Sequence, residues 1–136
     1  MFEVSAENDF DFRSPEYVDL YERSAATPFQ SPVWLAALHG GLLRHNSASP
    51  LVIVVRGAGR SLAMVLPLVR RRYSMLRVVE FADLRVSDYI SPVTDAATFA
   101  AILADRDCVA RIRAFVHPYV LLLIGTLADN ALVVER

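Results

Sequence analysis

Residues 51–69, LVIVVRGAGRSLAMVLPLV, decide how the chain folds. Leu51 to Val55 is wholly apolar and rich in β-branched side chains, as expected of a strand covered on both faces. Gly57-Ala58-Gly59-Arg60 supplies a tight turn. Ser61 to Val69 then reads as the antiparallel partner, with Leu62, Met64, Leu66 and Leu68 on one face. Pro67 removes a ladder donor, which predicts a bulge or a locally unpaired edge at that point.

Downstream, Arg70-Arg71-Arg72 is expected to leave the core, YSM to turn, and Leu76 to Ala82 to form a third strand, completing an antiparallel meander. Upstream, Ser14-Pro15-Glu16 is a helix start: serine caps, proline suits the first helical position, and glutamate favours the positive end. Tyr17, Leu20, Tyr21 and Ala25 recur at three and four, predicting a helix over 15–25. The link TPFQ leads to a second start, Ser31-Pro32, and a short helix carrying Trp34, Leu35 and Leu38 that Gly40-Gly41 stops.

After the meander comes the loop Arg85–Pro92, RVSDYISP. Thr94 or Asp95 then caps a helix through Phe99, Ile102 and Leu103. A second piece, Val109 to Phe115, continues it or is kinked at Asp105, and Pro118 ends it. Tyr119 to Ile124 is a further buried strand, parallel to a neighbour because it is entered from a helix. Ala131 to Glu135 resembles the start of another. The expected fold class is α/β (α+β): two N-terminal helices, a three-stranded antiparallel meander, a helix and a parallel strand. Residues 1–13 form an acidic lead-in, and 14–136 form one domain.

The length of 136 residues fits a single domain, and the 54% apolar content holds no uninterrupted apolar run of the roughly 20 residues a membrane helix needs. The acidic opening MFEVSAENDFDFR lacks the pattern of a secretory signal, so a cytoplasmic location is expected. Cys108 has no cysteine partner, and His39, His45 and His117 lack ligand spacing, so no metal site is expected. All 14 basic residues are arginine. The net charge of -1 hides an uneven layout: residues 1–22 carry seven acids and one arginine, and residues 44–85 carry eight arginines and two acids. That basic middle is either solvated or able to attract an anion such as a nucleotide or cofactor phosphate. Nucleic acid is not an expected partner, since no exposed-looking aromatics interleave with the arginines.

Two segments invite a chemical reading. Gly57-Ala58-Gly59 opens like a phosphate-binding loop, but position 62 is leucine where a third glycine belongs, and a strand follows where a helix N-terminus is needed; the hairpin reading wins. In RVSDYISP, Asp88 and Tyr89 can serve as base and acid for proton transfer, with Ser87 and Ser91 orienting a substrate. The same residues are also ordinary turn chemistry and loop anchors. Glu80 faces inward or outward; if inward, it needs a partner such as Arg77 or Arg85.

The ordered series TPFQSPVWLAAL, LVIVVRGAGRSLAMVLPLVRRR, RVVEFADLRVSDYISPV and VLLLIGTLADN resembles the N-terminal half of CelD/BcsL-type acyltransferases of the GNAT superfamily, relatives of the two-lobed FemABX-like enzymes. The likeness spans roughly residues 14–132. It implies a GNAT-like lobe of an acyl-CoA-dependent N-acyltransferase linked to polysaccharide or cell-envelope synthesis. The cofactor would be acetyl-CoA or another acyl-CoA, bound by a domain that follows the matched region in the family. The lobe is thus expected to be incomplete and not competent alone. The implied partners are an amine-bearing or sugar-like substrate and a second GNAT-like lobe or another copy of the chain. Asp88 and Tyr89 become the expected catalytic pair in an interlobe cleft, with Ser87, Ser91, Gln30 and Trp34 as substrate-binding candidates. The alternative expectation is a non-catalytic module that binds a partner lobe or a sugar-like ligand.

Overall fold

A computed structural model of the chain describes residues 1–42, 48–73, 76–81, 92–117 and 120–121. Among them the order is β1 (Glu3–Ala6), α1 (Pro15–Arg23), a 3-10 turn (Pro28–Gln30), α2 (Pro32–Ala37) running into a π-helical turn (Leu38–Leu42), β2 (Ser49–Arg56), β3 (Leu62–Tyr73), β4 (Leu76–Phe81), α3 (Ala96–Ala104), α4 (Arg106–Val116) and β5 (Val120–Leu121). The strands lie side by side in the order β1-β2-β3-β4-β5. The pairings from β1 to β4 are antiparallel, and β5 runs parallel to β4 through Val78↔Val120 and Val79↔Leu121. The chain is therefore a mixed α/β structure, with the expected meander and the expected parallel strand.

Alternation along β2 divides the core. Leu51, Ile53 and Val55 pack with Met64, Leu66 and Leu68 of β3 and with Ile102, Cys108, Ile112 and Val116 of α3 and α4. Val52 and Val54 point the other way, into a cluster with Val65, Val69, Phe12, Tyr17, Leu20 and Leu35. Successive strand residues face opposite sides, so each helix pair covers its own face of the sheet. All five residues from Leu51 to Val55 are fully buried. At about 1.5–3 kcal/mol for each such side chain, this short run is a large contributor to the core.

The helices begin where their caps dictate. Ser14 Oγ accepts from Tyr17 N at 3.4 Å, Ser31 Oγ from Trp34 N at 3.3 Å, and Asp95 Oδ1 from Thr98 N at 2.8 Å. Asp95, not Thr94, is thus the cap of α3. Asp105 separates α3 from α4: its N–H closes α3 on Ile102 O at 3.1 Å, and its carboxylate accepts Cys108 N at 3.0 Å. α4 ends with His117 as its C-cap, and Pro118 lies outside the described residues. So do the remainder of the expected 119–124 strand and the 131–135 tail.

Three expectations need correcting. First, the acidic opening is part of the sheet: β1 pairs with β2 from Glu3↔Arg56 to Ala6↔Ile53, and Asn8 Oδ1 extends the edge by accepting Val52 N at 3.1 Å. Second, β3 does not end at Val69 as expected but runs through the arginines to Tyr73, because Arg70, Arg71 and Arg72 pair with Val79, Val78 and Arg77 inside the β3–β4 ladder. Third, the bulge between β2 and β3 is not at Pro67, which pairs in register with Val52; the register shifts between Val55 and Arg56, opposite Ala63. The reason is parity. Val65 N–H and C=O both bond to Val93, on the flank away from β2. Two residues on, Pro67 turns its missing N–H to that same flank and leaves the β2 ladder intact.

The double-sided core gives a direct test. Ile53→Ala is expected to lower the unfolding free energy by about 2–5 kcal/mol in urea titration, the range for a large-to-small change in a packed core. A loss below about 1 kcal/mol would mean that the strand is covered on one face only.

Candidate functional site

The expected catalytic loop is tied to the sheet at both ends. β4 ends at Phe81, opposite Leu68. A strand continuing in register would set residue 84 against Val65, but Val93 stands there, exchanging backbone hydrogen bonds of 3.1 and 2.9 Å with it. The chain thus leaves this flank of β3 at Phe81 and is back on it at Val93, at points about 10 Å apart at the usual rise per strand residue. Ser87, Asp88, Tyr89 and Ser91 fall between these points in sequence and lie outside the described residues. Beyond Val93 the return is fixed by Thr94 Oγ1, which donates to Ala63 O at 2.8 Å, and by the Asp95 cap.

Beside that return lies a depression of about 370 Å³, lined by Phe2, Arg23, Gly57, Ser61, Leu62, Ala63, Ala97, Thr98 and Ala101. Its walls are mostly small and apolar, and its one cation is tethered: Arg23 Nη2 donates to Leu62 O at 2.6 Å, and Nη1 pairs with Asp95 at 3.4 Å. Hydrogen bonds from the Thr98 N–H and hydroxyl, with a smaller contribution from Arg23, hold the Asp95 carboxyl below the usual carboxylate range. The space suits a small molecule. It opens at the end of the sheet toward which β4 and β5 both run, where α/β sheets commonly bind ligands.

Gln30 and Trp34 belong to the α1–α2 layer. Gln30 is buried; its Oε1 accepts Thr27 N at 3.1 Å and its carbonyl accepts the Tyr17 hydroxyl at 2.6 Å. That bond closes the PFQSP turn onto α1, and burial raises the Tyr17 phenol above its ordinary range. Trp34 meets Phe29 edge-on at 6.1 Å, and its Nε1 is buried with no partner among the described residues. Phe29 and Val33 flank it, with Val33 71% exposed. The same layer holds His39, stacked on Phe12 at 4.8 Å, with both ring nitrogens buried and without partners among the described residues. A lone histidine without ligand spacing gave no sequence signal for this; the burial arises from the stack and the π-helical turn.

Glu80 faces inward on the α1–α2 side and pairs with Arg71 at 2.7 Å; of the two partners expected for it, Arg77 lies on the other face and Arg85 lies outside the described residues. At the opposite edge Arg56 forks onto Glu16 at 2.8 and 3.1 Å, lowering the Glu16 carboxyl and tying β2 to α1. Among the described residues no cluster of His, Cys, Asp or Glu could hold a metal, and no helix is long and apolar enough to cross a membrane. Burial raises the Cys108 thiol above its ordinary range, as expected of a core residue. No protein-family model, curated protein or solved structure matches the chain.

Two measurements test the electrostatics. Burial holds the His39 imidazole down at about 4 from an ordinary 6.5. Between these values the unfolded chain binds a proton that the folded chain excludes. This contribution to stability is complete above the higher value and lost as pH falls toward the lower, about 3 kcal/mol in all. His39→Phe is expected to flatten that limb in urea titrations at neutral and mildly acid pH; a limb as steep as that of the unaltered chain would contradict the burial. Glu80→Gln is expected to cost about 3 kcal/mol by leaving a poorly covered guanidinium, whereas Glu80→Leu combined with Arg71→Met is expected to cost far less. Equal losses would show that the charges themselves matter little.

Proposed function

We propose that the chain is the N-terminal lobe of a GNAT-like, acyl-CoA-dependent N-acyltransferase acting in cell-envelope or polysaccharide synthesis, and that its own task is to hold the acceptor amine. The observation that supports this reading is where the described chain stops and resumes on either side of residues 82–91: β4 ends at Phe81, and Val93 rejoins β3 next to a depression of small-molecule size. Asp88 takes the proton of the incoming ammonium, and Tyr89 supplies a phenol donor beside it, while Ser87 and Ser91 orient the acceptor. Gln30 and Trp34, the other substrate-binding candidates, lie in the α1–α2 layer.

The described residues do not fit a whole acyl-CoA. Gly57–Arg60, the glycine-rich stretch, is a hairpin turn between β2 and β3 and not a cradle opening a helix. The thioester therefore belongs to a second lobe, and no step through it is assigned to this chain. A second reading, a non-catalytic module for a partner lobe or a sugar-like ligand, draws on exposed Val33 and Phe29 beside Trp34.

Calorimetric titration with glucosamine and with glucose separates the two. Acceptor binding predicts heat with the amino sugar, weakened about ten-fold or more by Asp88→Asn, the scale of a lost charge-assisted hydrogen bond. Acetyl-CoA at millimolar concentration is expected to give none. Equal affinity for both sugars, unaltered in Asp88→Asn, would favour the module and remove the amine-binding assignment.

A further inference from the structure

The opposite end of the sheet carries a charge arrangement that the proposed acyl transfer does not use. Arg72 of β3 and Arg77 of β4 stand directly across from each other in the antiparallel ladder, and both are exposed. The parity set by the Val65–Val93 bridge makes 69↔80 and 71↔78 the hydrogen-bonded pairs, so 72↔77 is a non-hydrogen-bonded pair, the kind in which side chains approach most closely. Their Cβ atoms are then about 5 Å apart on one face.

Like charges directly opposite each other are unfavourable in a sheet, and the usual remedy is an acid nearby. No acid is seen to answer them among the described residues: Arg23 pairs with Asp95, Arg56 with Glu7 and Glu16, and Arg71 with Glu80 on the other face, and neither Arg72 nor Arg77 has an acidic partner there. Residues 70–77 contain four arginines and no acid. The β5 register, Val78↔Val120, also brings the end of α4, with exposed Arg113, toward this end of the sheet.

We infer that Arg72 and Arg77 form a site for a phosphate group, held between two guanidinium forks at the Tyr73–Leu76 end of the β3–β4 hairpin. A carboxylate offers two oxygens and is saturated by one fork, whereas a phosphate ester presents enough acceptor oxygens for both. The pair is too short for a nucleic-acid track, which needs a longer basic stripe. The phosphate belongs to a soluble phosphate ester or to a lipid headgroup, and the two sources differ only in what carries it.

The test uses the full chain at low ionic strength in two arms: calorimetry with inorganic pyrophosphate, and co-sedimentation with vesicles of phosphatidylcholine containing phosphatidylglycerol. Binding in at least one arm is expected, about five-fold or more weaker in Arg72→Gln and in Arg77→Gln, as for a lost charge-assisted contact, and nearly unchanged in Arg106→Gln, an equal charge change at the start of α4. Pyrophosphate binding names a soluble ester; vesicle binding alone names a headgroup. Because both side chains are exposed and mutually repelling, the variants are expected to melt no lower than the unaltered chain. No binding in either arm, or binding that all three variants share equally, overturns the site.

Discussion

The fold depends on a single constraint: β2 has no polar face. A strand with side chains alternating to opposite sides and no residue suited to water between Leu51 and Val55 cannot lie at a surface, so both sides of the sheet must be roofed. The two helix pairs answer that requirement, α1 and α2 on one side and α3 and α4 on the other. Even the connection that makes β5 parallel follows from it, because a chain that must cross over the sheet to cover it returns in the direction of the strand it left.

The features legible in the sequence were those with a local physical cause. Caps are local, and the serine-proline and aspartate signals marked where α1, α2 and α3 begin, whereas α4 starts at Arg106, ahead of the expected Val109. The central hairpin was legible because its composition leaves no alternative. β1 was not, since a four-residue strand of mixed polarity owes its existence to the exposed flank of β2 and to Asn8, neither of which appears in its own pattern. The arginine run misled for a related reason. Three successive charges look like an exit from a core, yet in a strand they divide between faces, Arg71 turning to Glu80 and Arg72 to the other side.

Much the same division holds for function. The SDYISP loop and the PFQSP turn stand out as sequence, but only the backbone register shows that one is an insertion anchored on β3 and the other a clasp whose buried glutamine serves the turn itself. What sets His39, Arg72 and Arg77 apart is not visible in sequence, because it is a neighbour distant along the chain or across the β3–β4 ladder. The sheet consequently has two dissimilar ends. The rim toward which β4 runs carries a small-walled depression bordered by α3 and the β2–β3 turn, and the other is cationic.

The bridge between Val65 and Val93 has one more implication. Since β3 holds both the departure and the return of the inserted segment, neither anchor depends on how many residues lie between them. The segment between them can therefore be lengthened, shortened or rewritten while every strand keeps its alignment, which makes it a practical splice point for grafting a new specificity.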